Sequence, residues 1–115
     1  SWTTDRHELI ENLKRSLILA RDSSNRVRFG VTGDNLTITA RSEEKGEGKD
    51  AVALVSDNGE IEIAFNGRYV LDAVGSFRSD SVITELTEPS RPAIFRPANE
   101  EGSSRFCVIM PMALS

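Results

Sequence analysis

Nucleophilic catalysis needs a base within reach of the nucleophile, and these 115 residues hold one histidine and one cysteine to draw on. His7 falls in the first turn of an expected helix, where exposure is the default. Cys107 sits inside a strand-like run from Arg105 to Met110 that is apolar after its first residue, a setting that favours a buried small hydrophobe over a reactive thiol. Asp72 and Glu85 are carboxylates suited to acid–base work, yet nothing in their spacing places them together. Glu43, Glu44 and Glu47 are interrupted by Lys45 and Lys49 and lack the ligand order of a calcium loop. No phosphate-cradling glycine loop and no metal-ligand spacing occurs. The expectation is a protein without catalytic residues, metal or cofactor. Its chemistry is that of binding.

The residues with most to offer a partner end the sequence: Val108-Ile109-Met110-Pro111-Met112-Ala113-Leu114-Ser115. Pro111 stops a strand-like run, because proline has no N–H to give a ladder and fixes its own φ. Met112 and Leu114 follow, both large and apolar. Two readings stand. The tail is a greasy cap on the last strand, or it is a partly exposed wall whose methionines adapt to a ligand.

A chain of this length fits one domain, residues 1–115, and can bury a core without disulfide or metal. A single cysteine excludes an internal disulfide, Ser1-Trp2-Thr3-Thr4 shows no signal-peptide pattern, and no apolar run is long enough to cross a membrane. A cytoplasmic protein with no membrane partner is expected. The net charge of −4 argues against a protein that coats nucleic acid through clustered Lys and Arg. It leaves room for one that surrounds DNA without gripping it.

The elements that must position the tail follow from local pattern. Ser1 to Thr4 read as a short strand, and Asp5 with Glu8 has the spacing of a capping box. Leu9, Ile10, Leu13, Leu17 and Ala20 then share one face at about 100° per residue, which marks a core-facing helix. Ile18 and Leu19 project away from that face. Either the helix has ended before them, or they form a partner surface. Val27 to Thr32 and Leu36 to Ala40 alternate around Gly33-Asp34-Asn35 and predict a hairpin. Ser42 to Asp50 reads as a solvated loop. Ala51 to Val55 and Glu60 to Phe65 predict a second hairpin around Asp57-Asn58-Gly59. Asn66 has the chemistry to cap a short helix whose face is Tyr69, Val70, Ala73, Val74 and Phe77. Strands at Val82 to Thr87, Ala93 to Arg96 and Arg105 to Met110 complete the chain, the first two separated by the stiff Pro89–Pro92 connection. The order is strand, helix, four strands, helix, three strands, nearly one unit used twice. It predicts an α+β fold with two helices packed on one face of antiparallel, hairpin-linked strands.

Specific strings carry a family resemblance. Ile109-Met110-Pro111-Met112-x-Leu114 resembles the ending of the bacterial sliding clamp, the β subunit of DNA polymerase III. Glu60-Ile61-Glu62-Ile63-Ala64-Phe65-Asn66-Gly67-Arg68-Tyr69-Val70-Leu71-Asp72 is similar to the clamp segment with Phe-Asn and then Tyr-(Leu/Val)-Leu-Asp. Thr4-Asp5-Arg6-x-Glu8-Leu9 and Leu36-x-Ile38-x-Ala40 are similar to the same domain. The resemblance covers essentially the whole chain, and it is to the third of three clamp domains.

The resemblance implies a DNA-clamp (processivity-fold) domain, part of a head-to-tail homodimeric ring around duplex DNA that reads no sequence. It implies a pocket for peptides of the DNA polymerase, clamp loader and repair proteins, lined by Asn66, Tyr69, Ser90, Pro92, Val108, Ile109, Met110, Pro111, Met112 and Leu114. It implies that Ile18 and Leu19 form a subunit interface. The residues facing DNA stay unassigned. Lys14, Arg15, Arg21, Arg68 and Arg78 are candidate phosphate neighbours, but they form no basic stripe and suit a solvated surface equally well. The alternative is a free-standing peptide-binding module of the same fold, which needs the tail but has no use for an exposed Ile18-Leu19 pair.

Overall fold

The computed structural model describes residues 2–21, 24–42, 46–56, 60–86, 91–98 and 106–112, with only the backbone described at 42, 46–47 and 49–56. The elements are β1 (Trp2–Asp5), α1 (Arg6–Ala20), β2 (Arg26–Thr32), β3 (Asn35–Ser42), β4 (Gly46–Ser56), β5 (Ile61–Asn66), α2 (Gly67–Gly75), β6 (Ser81–Glu85), β7 (Ala93–Pro97) and β8 (Cys107–Ile109). All pairings between them are antiparallel, in the order β5-β2-β3-β4-β1-β6-β7-β8. The α+β class, the element order and the two helices on one face are as the sequence predicts.

The repeated unit is visible in space. β1–α1–β2–β3–β4 and β5–α2–β6–β7–β8 have the same order, and each repeat lends its first strand to the other: β1 pairs with β6, and β5 with β2. In the first repeat β1 also pairs with the closing strand, Trp2↔Ser56 through Thr4↔Leu54. Its counterpart in the second repeat shrinks to one bridge beyond β8, where the Met112 N–H donates to the Ala64 carbonyl at 2.7 Å. That bridge joins the two ends of the sheet. Phe65 of β5 stands between Phe29 of β2 and Phe95 of β7, with edge-on ring contacts at 5.3 and 5.5 Å. The core therefore runs through both repeats, and it includes Trp2, Leu9, Leu13, Leu36, Ile38 and Val74.

Several expectations need correction. The second hairpin does not form: β4 lies between β3 and β1, and β5 crosses to the free edge of β2. A long β3–β4 ladder, Asn35↔Ala53 to Ser42↔Gly46, pairs β4 instead. The expected loop is thus strand at Ser42 and from Gly46 onward; Asp57, Asn58 and Gly59 lie outside the described residues. On α1 the buried positions are Leu9, Asn12, Leu13, Ser16 and Ala20, while Ile10 and Leu17 are half-buried. Asn12 tolerates burial because its Nδ2 donates to the Glu8 carbonyl (2.8 Å) and its Oδ1 accepts from Arg15 (2.7 Å).

The helix does not end before Ile18. It continues to Ala20, so Ile18 points outward, 52% exposed. Leu19 turns back and is half-buried on Gly48 of β4, where any Cβ would overlap its Cδ1. The pair is therefore one exposed and one half-buried residue. Tyr69 likewise leaves the core face of α2, which is made by Gly67, Val70, Ala73 and Val74. Cys107 is half-buried rather than buried, because β8 has a partner strand on one side and a cleft on the other.

Candidate functional site

A cleft of about 730 Å³ opens where the second repeat lacks its first-to-last strand ladder. One wall is α2, the other is β8 and the tail. Asn66 starts α2 as its N-cap: its Oδ1 accepts from the backbone N–H of Arg68 (2.9 Å) and of Tyr69 (3.3 Å). The cap occupies the oxygen, so what Asn66 offers the cleft is its Nδ2 donor. One turn on, Tyr69 lies 62% exposed with its ring and hydroxyl at the mouth.

The facing wall is built by alternation. Ile109 faces the core, while Val108 and Met110 are exposed at 54% and 61%. Pro111 ends the strand, and the Met112–Ala64 bridge holds the tail across the cleft, which is what keeps this chain end in place. Tyr69, Val108 and Met110 thus give the cleft three exposed apolar side chains, one of them with an adaptable sulfur.

The structure brings Asn66, Tyr69, Val108, Ile109, Met110, Pro111 and Met112 into this one cleft. Pro92 is exposed just before β7 and is not part of its lining, because the chain turns into the sheet at Ala93. Ser90 and Leu114 lie outside the described residues. Sequence reasoning missed Asp72, Ala73, Ser76 and Cys107, which deepen the cleft along α2. Helical spacing held a signal for three of them: 66, 69, 73 and 76 form a stripe three or four residues apart, with 72 beside it.

On the other side of α2, where it faces α1, a smaller groove of about 250 Å³ is lined by Lys14, Leu17, Ile18, Arg21, Asn25, Arg68 and Leu71. Lys14, Arg21 and Arg68 converge here with Ile18. Arg15 instead bonds to Asn12, and Arg78 is exposed beyond α2. Lys14 pairs with Glu11 at 3.9 Å and Arg68 with Asp72 at 3.6 Å, both on the surface and both weak. Elsewhere, the β4 backbone from Gly46 to Ala53 has β3 on one side and, among the described residues, no strand on the other.

A duplicated βαβββ fold with an apolar cleft bordered by its own tail defines a clamp-type domain. A family model described as DNA polymerase III beta subunit, C-terminal domain, matches residues 1–113, and the chain belongs to that family. The beta sliding clamp of Chlamydia muridarum is 33% identical over 109 residues, which is 95% of this chain and 29% of that protein. The crystal structure of the Pseudomonas aeruginosa DNA polymerase sliding clamp matches with a TM-score of 0.90 at 29% identity, over 98% of this chain and 31% of that one. A structure of the P. aeruginosa clamp bound to griselimycin matches equally well, over 98% of this chain and 30% of that one. The chain thus spans under a third of the length of these relatives.

Proposed function

We propose that this chain acts as the third domain of a sliding-clamp subunit and that its cleft holds peptide segments of the replicative polymerase, clamp loader and repair proteins. The observation that carries this is the cleft itself: an exposed tyrosine and methionine facing each other, with a tail bridged to β5 closing one side. In a ring around DNA such a site works by tethering. Micromolar affinity, about −8 kcal/mol, is enough, because the tether raises effective concentration and multiplies weak contacts. DNA would pass through the assembled ring without sequence readout, consistent with a net charge of −4. The ring reading is favoured over a free-standing peptide module by exposed Ile18 near the end of α1, which the cleft does not use. An exposed apolar residue outside the cleft suits a subunit contact.

The test is titration of a labelled peptide of the Gln-x-x-Leu-Phe type against the chain and a version ending at Pro111. Saturable binding, lost on truncation, is the expected result. Griselimycin, bound by the P. aeruginosa clamp, should compete with the peptide. Binding that survives both truncation and competitor would remove the cleft as the site.

A further inference from the structure

Asp72 breaks a local rule in α2. A helix end gathers negative partial charge from its unpaired carbonyls, so the last turn favours cations and disfavours acids. Here the last turn of Gly67–Gly75 has no basic residue, and it carries Asp72. The Arg68–Asp72 ion pair does not mend this, because its cation is N-terminal to its acid, the less favourable order along a helix. Departures of this kind concentrate where function needs them.

Asp72 also borders the cleft. Among the described lining residues it alone carries a charge, and it is flanked by the small side chains Ala73 and Ser76. The exposed apolar side chain of Val108 lies on the facing wall, a surface along which the stem of a long side chain can lie. Resting on the peptide-binding reading above, we infer that the Asp72 end of the cleft selects partner segments carrying a basic side chain beside their apolar anchors. The lysine or arginine stem lies along the apolar wall, and its head meets the carboxylate at the negative end of α2. Arg68 is the internal competitor for that carboxylate. It is held at 3.6 Å, with both side chains largely exposed, so a partner cation can replace it.

The experiment uses the whole chain and sets of three labelled Gln-x-x-Leu-Phe peptides. Within a set the peptides differ at one flanking position, which carries Lys, Gln or Glu, and that position is walked along both flanks. The readout is the ratio of the Kd for the Glu peptide to that for the Lys peptide. At one flanking position the Lys peptide should bind about fivefold tighter than the Glu peptide, the scale of an exposed ion pair, and the ratio should shrink with salt. Asp72→Asn should bring the ratio close to one, and Arg68→Gln should raise it. A ratio near one at every position, or one that survives Asp72→Asn, overturns the inference while leaving the cleft as a peptide site. Failure of the Gln peptide to bind at all overturns the cleft reading and this inference together.

Discussion

Asn66 holds two jobs in one side chain, and they can be separated. Its Oδ1 caps α2, and its Nδ2 is the hydrogen-bond donor left to the cleft. Asn66→Asp keeps the cap, since aspartate serves as well at that position and suits the positive helix end. The variant should therefore unfold in urea within about 0.5 kcal/mol of the parent, yet bind the labelled peptide about tenfold more weakly if the amide donates to it. Asn66→Ala should lose both, with about 1 kcal/mol of stability. The capping role was legible in the sequence, because caps are read from residue type and spacing. Which polar atom the cap would leave free was not, because that depends on the geometry the cap adopts.

At the scale of elements, the informative contact is α1 on β4. Leu19 rests on Gly48, so the helix end and the strand approach as closely as a missing side chain permits. Gly48→Ala should push Leu19 outward and cost about 1 kcal/mol, the lower end of overpacking penalties, because Leu19 can rotate away. In a Leu19→Ala background the same change should cost almost nothing. Urea denaturation of the four proteins gives the coupling directly, and additive effects would rule out the contact. The sequence suggested an outward-facing Ile18-Leu19 pair, since both lie off the stripe of Leu9 and Leu13. It held no sign that a glycine on a distant strand would receive one of them.

For the whole molecule, two surfaces differ in what they expose: an apolar cleft between α2 and β8, and Ile18 near the C-terminal end of α1, in the groove it shares with α2. Ile18 is the clean probe of assembly, because Leu19 also packs against the core. Ile18→Ser should leave stability within about 0.5 kcal/mol, as exposed substitutions do. It should weaken association when the chain is placed as the third domain of a three-domain clamp subunit and followed by sedimentation. Unchanged assembly would exclude this surface as a subunit contact. By itself, the sequence determined the element order, the caps on both helices and the alternation of the strands, because each depends on neighbours a few residues away. Tertiary structure alone decided that β5 leaves β4 for β2, that Met112 bridges to Ala64, and that Asp72 and Cys107 border the same cleft. Those choices join residues far apart in sequence. They depend on packing such as Phe65 between Phe29 and Phe95, which no local pattern encodes.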